Sequence, residues 1–289
     1  MARSVHNAVA LMIALASTAQ AQPAFRQTNC AEPMGGTSTD LAFVSPLAAG
    51  SLLVVAVTLQ GMTGEFTSIT DTQGNAYFPA FPILRGPFNY SSQIWYSPSA
   101  AQAGPDTVTV TASENTALIV YVNEYTGFQS AALDVTSVSI GNGGPLSSGP
   151  VTTTAAVELL FGYAVSFGQV FNPPAGFITR GTCSADMTAD RVAPTTGSLS
   201  AAFKGDIGPW SAMLATFKNG SVDGGSVDGG SVDGGSVDGG SLDGGVRRPV
   251  IVDLGCGCHT GAGPSLLGIV ALLYAARRRF HASDGLLTP

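Results

Sequence analysis

The sequence predicts an all-β protein: an antiparallel β-sandwich or jelly roll, followed by a disordered linker and a short C-terminal transmembrane helix. Three observations predict it. Short runs rich in Thr, Val and aromatic residues alternate with clusters of Gly, Pro, Asn and Asp, the composition of strands and turns. No run sustains a helical period between caps. A five-residue repeat and a terminal apolar segment set the C-terminal part of the 289 residues apart from any core.

In chain order, residues 1–21 read as a signal peptide. Arg3 opens a charged region, "AVALMIALA" is a short apolar region, and Ala19-Gln20-Ala21 is a small-residue cleavage site. The apolar run is too short to span a bilayer comfortably, which disfavours an uncleaved anchor. The mature chain is expected to begin at Gln22. Residues 22–218 then form one domain, long enough for a sandwich with a hydrophobic core.

Its strands are expected at "SLLVVAVTLQG" (Ser51–Gly61), "SSQIWYS" (Ser91–Ser97), "DTVTVTA" (Asp106–Ala112) and "ALIVYVNEY" (Ala117–Tyr125). Further runs are "ELLFGYAVSF" (Glu158–Phe167), "GSLSAAFKG" (Gly197–Gly205) and "WSAMLATFK" (Trp210–Lys218). "DTVTVTA" alternates with period two, as a half-buried strand does. "SLLVVAVTL" is apolar on both faces and belongs in mid-sheet. "SITDTQGNAY" reads as a turn: Asp71 would accept hydrogen bonds from the turn backbone and Gly74 would take the left-handed conformation. A calcium site at Glu65, Asp71 and Asn75 is the alternative, but calcium takes about six to eight oxygens.

Charge and histidine content exclude whole classes of function. The domain carries Arg26, Arg85, Arg180, Arg191, Lys204 and Lys218 against twelve acids. It has no basic cluster with which to displace counterions, so nucleic acid is not expected as a partner. The three histidines, His6, His259 and His281, all lie in the terminal sorting segments. A Ser-His-Asp hydrolase, a Cys-His nucleophile and a His-ligated metal are thereby excluded from the domain. No cofactor and no metal site is expected.

Carboxylate chemistry is the enzymatic alternative: a glycan hydrolase needs two acids about 5–10 Å apart. Glu65, Asp71, Glu124, Asp134, Asp186 and Asp190 are available. Asp186 and Asp190 would share one strand face roughly 13 Å apart. They read as solvated or edge-strand acids, outside any recognisable glycosidase signature.

Cys30 and Cys183 are the only cysteines of the domain. An exported protein meets an oxidising compartment, so a disulfide is expected rather than two separate buried thiols. Closing so long a loop would stabilise by about 5 kcal/mol in the chain-entropy model. The stretch "AYFPAFPILRGPFNY" (Ala76–Tyr90) concentrates Tyr77, Phe78, Phe81, Phe88 and Tyr90 among prolines and glycines. Its rings read first as caps on the core. In the functional reading, Tyr77, Phe81, Phe88 and Tyr90, with Arg85 beside them, present flat apolar faces to sugar rings.

Residues 219–254 form a linker built on four "SVDGG" units and one "SLDGG". Glycine keeps such a chain flexible and aspartate keeps it solvated, with a root-mean-square span of about 25–30 Å. The calcium-binding β-helix repeat has another length and glycine pattern. Within 255–280, Gly255-Cys256-Gly257-Cys258-His259 precedes an uncharged run, Thr260–Ala276, and then Arg277, Arg278 and Arg279. The run is about 25 Å long as a helix, the short limit for a span. The arginines place the 281–289 tail in the cytoplasm. A plain single-pass anchor is one alternative. Metal binding by Cys256, Cys258 and His259 is another, poor in geometry because the ligands crowd together without a fourth.

"GCGC", "LLGIVALLYAA" and "RRR", in this order after a low-complexity linker, resemble the MYXO-CTERM sorting signal of myxobacterial surface proteins. The resemblance covers about the last 35 residues and departs from the family in the extension "FHASDGLLTP". It implies export, processing by a membrane sorting protease and retention at the cell surface through a modified cysteine, Cys256 first and Cys258 second. The domain itself resembles a β-sandwich module that recurs in large bacterial extracellular proteins. That likeness rests on "GSLLVVAVT", "SITDTQGNAY", "IWYSP", "DTVTVT", "VNEYTG", "LDVT", "VTTTAAVELLFG", "GFITR" and "WSAMLATFK". It implies fold and location but no reaction. The function expected is a surface-anchored, non-catalytic module binding extracellular glycan or a neighbouring surface. A glycan hydrolase and a purely structural envelope protein are the alternatives.

Overall fold

The computed structural model describes residues 22–219, apart from Met34 and Gln129. Within this range the chain is all-β, with antiparallel pairing and no helix, consistent with a β-sandwich. The signal peptide, the linker and the segment carrying Cys256 and Cys258 lie outside the described residues.

The first half of the domain contributes β1 (Ala24–Ala31), β2 (Ser38–Ala42), β3 (Leu52–Gln60), β4 (Phe66–Asp71), β5 (Phe78–Pro79), β6 (Leu84–Gly86), β7 (Tyr90–Ser97), β8 (Thr107–Ala112) and β9 (Leu118–Thr126). The second contributes β10 (Ala131–Asn142), β11 (Leu146–Ser147), β12 (Val151–Thr152), β13 (Glu158–Ser166), β14 (Val170–Asn172), β15 (Ile178–Cys183), β16 (Asp186–Ala193), β17 (Ser198–Leu199), β18 (Ala202–Gly205) and β19 (Pro209–Asn219). Each half builds a large inner sheet and a smaller outer layer. The first inner sheet runs β1-β9-β3-β7-β5, with β6 also on β7, and its outer sheet is β2-β8-β4. The second runs β10-β19-β13-β16-β15, and its outer layer is β11-β18-β14 with the pair β12-β17.

Period-two alternation explains the layering. In β3, Leu52, Val54 and Ala56 face the opposite inner sheet, where Leu159, Phe161 and Tyr163 of β13 meet them. Leu53, Val55, Val57 and Leu59 of the same strand face Val108 and Val110 of the outer sheet. In β13, Leu160 and Ala164 turn away toward Phe203 of the other outer layer. Three apolar cores therefore separate four layers, and the central strands are buried on both faces. Their uninterrupted apolar sequences follow from that placement, since neither face has water to meet.

Most expected runs coincide with strands. "GSLSAAFKG" does not: it breaks into β17 and β18, which pair with different partners. Asp186 and Asp190 are neither solvated nor on an edge. They lie on β16, between β13 and β15, with 0% and 3% exposure. Arg180 makes the burial of Asp190 tolerable. Its Nε donates to Asp190 Oδ2 at 2.7 Å and its terminal nitrogen to Oδ1 at 2.9 Å, while the guanidinium lies 3.9 Å over the Phe25 ring.

The expected disulfide is present. Cys30 on β1 joins Cys183 at the end of β15, with Cα atoms 6.4 Å apart, and so ties the two inner sheets at one edge. Ser184 and Ala185 make the hairpin turn beyond it, both with positive φ (51° and 66°) and neither a glycine. Tyr121 holds this turn from across the core. Its hydroxyl accepts from the Cys183 N–H at 2.7 Å and lies 2.8 Å from the Cys183 carbonyl oxygen.

Candidate functional site

The aromatic stretch 76–90 divides between core and surface. Phe81 is 8% exposed and belongs to the core between the inner sheets. Tyr77 packs on the outer core, and its hydroxyl donates to Asp71 Oδ2 at 2.9 Å. Burial, reinforced by the Asp71 charge, pushes that phenol far above its ordinary range. These two rings therefore face inward and are unavailable as a sugar platform. Arg85 is held by Glu65, the Gly64 carbonyl and Ser91 Oγ (2.9 Å), and Tyr90 lies half-buried in β7 opposite Gly86.

Phe88 remains at the surface, and its backbone is unusual. It sits in the three-residue turn between β6 and β7 with φ of 63°, followed by Asn89 at 61°. A bulky residue in the left-handed region costs about 1–2 kcal/mol, so the surrounding contacts must hold it there. The consequence is a ring 50% exposed whose centroid lies 5.1 Å from that of Phe167, tilted by 41°. Phe88 comes from the first half of the domain and Phe167 from the second.

Loops of both halves converge around this pair. The Gly61 N–H donates to the Asn89 carbonyl at 2.6 Å, which brings up Met62, itself 43% exposed. The Phe167 N–H donates to the Pro209 carbonyl at 3.0 Å, placing Ile207 (94% exposed) in the adjacent turn. Ile140 on β10 pairs in register with Ser211, whose hydroxyl lies against Gly86 at the base of the Phe88 turn. Phe88 and Phe167 thus form an apolar apex at one end of the domain, with Met62, Ile140 and Ile207 exposed on the neighbouring strands and turns. Arg85 with Glu65, and Asp206, which accepts from the Gln169 N–H at 2.8 Å, supply polar groups at its margin. Sequence reasoning reached Phe88 through its aromatic surroundings and missed Phe167 and Ile207. The signal for Ile207 was an isolated Ile between Asp206 and Gly208, where a turn leaves no core to enter.

The candidate hydrolytic acids have structural partners. Asp71 Oδ1 accepts from the backbone of Gln73 (3.1 Å) and Asn75 (2.9 Å), and Gly74 has φ of 74°, as the turn reading requires. Glu65 pairs with Arg85, Asn75 turns its amide nitrogen to Asp71 Oδ2 (2.7 Å), and its Oδ1 accepts from the Ala101 N–H (2.8 Å), so the oxygens of the calcium alternative are engaged elsewhere. Glu124 is fully buried and accepts from Gln27 Nε2 (2.6 Å), the Ala48 N–H (2.7 Å) and Ser51 Oγ (2.7 Å), with Arg26 3.2 Å away. Asp134 pairs with Lys218, and Asp186 Oδ1 accepts from the Ser166 N–H at 3.3 Å.

One acid that sequence reasoning did not single out, Asp106, lines a cleft of about 220 Å³ with Val44, Ser45 and Thr72. It is 4% exposed, and burial holds its carboxyl in the protonated form to higher pH, with the neighbouring Asp71 charge adding to the effect against the Thr72 hydrogen bond. The chain matches no protein-family model, no curated protein and no solved structure.

Proposed function

We propose that the protein is an exported, surface-anchored and non-catalytic module that binds extracellular glycan, or a neighbouring surface, through the apolar apex. The observation that carries this reading is the Phe88–Phe167 pair: two half-exposed rings, one held in a left-handed turn, supported by loops from both halves. Flat ring faces bordered by Arg85, Glu65 and Asp206 suit a ligand with apolar faces and polar edges, as a pyranose has. The charge balance and the absence of histidine between residues 22 and 219 support binding over nucleic-acid recognition or histidine-dependent catalysis. The likeness of the tail to the MYXO-CTERM signal supports export, membrane processing and retention through Cys256 or Cys258. The glycine-rich linker would then let the domain search a volume around its anchor.

The test is a glycan array with envelope-extracted protein, run beside a hydrolysis screen on the same glycans. Binding without turnover is expected, weakened tenfold or more by Phe88→Ala or Phe167→Ala, an order of magnitude typical of anchoring aromatics. Phe81→Leu, a core change, should leave affinity unaltered in the folded protein. Turnover abolished by one Asp or Glu substitution would replace this reading with a carboxylate hydrolase. Silence in both assays would replace it with a structural envelope role.

A further inference from the structure

Three neighbouring strands bring a lysine, an aspartate and a glutamate together at the end of the domain where the described chain stops. Lys218 lies on β19, the penultimate residue of that strand. On one side, β10 carries a bulge between Leu133 and Thr136, so that Asp134 and Val135 together face Thr216. A bulge re-aims a side chain, and here Asp134 reaches Lys218: Nζ lies 2.6 Å from Oδ1. On the other side, Glu158 opens β13 one register step beyond the Leu159–Phe217 pair.

The side chains of Asp134 and Glu158 are 2% and 0% exposed. Glu158 Oε1 accepts from the Ala155 N–H at 2.7 Å, whereas Oε2 is buried and meets no donor. Burial, reinforced by the Asp134 charge and opposed by the Ala155 and Thr216 hydrogen bonds, raises the Glu158 pKa, and a protonated Glu158 can donate to Asp134. For Asp134 burial acts the other way from its partners. The hydrogen bonds from Lys218 and Thr154 prevail and hold its carboxyl at about 2.

We propose that Lys218 Nζ and the side-chain carboxyl of Asp134 condense into an intramolecular amide, with Glu158 as the assisting acid. The resting site is an ion pair. Transfer of one ammonium proton to the carboxylate, an uphill step because the Lys218 and Thr154 hydrogen bonds favour the carboxylate, leaves a neutral amine and a neutral acid. The amine nitrogen, 2.6 Å from Oδ1, is held against the carboxyl group it would attack. As the N–C bond forms, negative charge collects on Oδ2, where the Thr154 backbone N–H already donates at 2.8 Å. Glu158 gives its proton to the departing hydroxyl, which leaves as water when the C–O bond breaks. The second proton on nitrogen returns to Glu158, which stands opposite Lys218 one register step beyond the Leu159–Phe217 pair, while the Thr154 hydroxyl, 2.8 Å from Nζ, holds the amine in place. One ammonium and one carboxylate thus become one amide and one water, with no oxidant or cofactor. The bond would clamp β19 to β10 one residue before the strand ends at Asn219. Under the anchoring reading, tension along the linker enters there.

Peptide mapping of the reduced, full-length protein tests the proposal. Peptides bearing Asp134 and Lys218 should appear joined, lighter than their sum by one water, with no tryptic cleavage after Lys218. Lys218→Arg should restore two linear peptides, and Glu158→Gln should lower the joined fraction at least tenfold while the protein remains folded. Separate, unmodified peptides from folded wild-type protein would overturn the proposal. Loss of water that persists in Lys218→Arg would overturn it too, since Asp134 would then have closed on its own backbone.

Discussion

The two halves of the domain are built to one plan and satisfy it differently. In each, the last strand lies between the first and the buried central strand: β1-β9-β3-β7 in one, β10-β19-β13-β16 in the other. The register Leu52↔Tyr125 in the first corresponds to Leu159↔Phe217 in the second. From that pair the likeness extends into the turn before the central strand. Gly50 has φ of 79° and Val157, at the matching position, 60°. The Ala48 N–H donates to Glu124 at 2.7 Å, and the matching Ala155 N–H donates to Glu158 at 2.7 Å. Yet Glu124 comes from β9 and Glu158 from the start of β13. Ser51 and Thr216 occupy the complementary places, so acid and hydroxyl have exchanged strands. The plan requires an acceptor for a buried N–H at this turn, because an unpaired one costs about 1–3 kcal/mol. Which strand provides it is free.

The exchange has electrostatic consequences. Glu124 faces Arg26 and Gln27, which compensate its charge. Glu158 instead lies beside Asp134, and burial together with the Asp134 charge raises its pKa. The outer layers differ as well. Three continuous strands cover the first inner sheet, whereas short pairs cover the second, where Phe177, Phe203 and Trp210 share the outer core.

The largest test of this contrast is paired. Glu124→Gln sets an amide N–H₂ against the Gln27 donor and leaves buried polar groups unsatisfied, so it should destabilise by about 1–3 kcal/mol. In a Lys218→Arg background, where no amide can form, Glu158→Gln keeps the acceptor for Ala155 and breaks no ion pair, so it should cost about 1 kcal/mol or less. Urea melts of the two variants decide it, and equal losses would break the comparison.

A second test uses pH. Asp106 stands before β8 in the first half, and no acid precedes β17 or β18. Because burial raises its folded-state pKa, the folded protein binds more protons than the unfolded chain. Its contribution is therefore intact below the ordinary aspartate range, about 4, and is lost as pH rises through the folded value. Asp106→Asn should match the parent at pH 4 and melt higher at pH 7. The same melting difference at both values would show that Asp106 is already ionised when buried.

The smallest test concerns Val157. A β-branched residue in the left-handed region is strained, and Gly50 shows what the same turn takes without strain. Val157→Gly should stabilise by about 1 kcal/mol, raising the thermal midpoint by a few degrees. The converse change, Gly50→Val, should lower it by more, because Gly50 precedes the fully buried Ser51 and cannot shift freely. A gain in both would mean that the two turns are not equivalent.

What the sequence by itself determined was whatever depends on local pattern. β3, β9, β13 and β19 were legible because both their faces are buried, which leaves no polar residue to blur the run. β8 was legible from its alternation. The Asp71–Gly74 turn followed from the two residue types able to cap and to reverse the chain, and the Cys30–Cys183 bond from the compartment that an export signal implies.

Tertiary structure decided what depends on partners distant in sequence. β16 carries two acids and reads as surface, until Arg180 on the neighbouring strand neutralises one of them inside the sheet. β10 is rich in Ser and Thr because it is an edge strand, half in contact with water. The likeness of the two halves is faint in the sequence, where "AAGSLL" answers "AAVELL" and little else aligns. A sheet conserves where side chains point far more strictly than which residue supplies a given atom, so the two halves could diverge in sequence while keeping one register. The apex arose the same way. Phe88 and Phe167 became a pair only because the two inner sheets pack face to face, and no periodicity within either half encodes that contact.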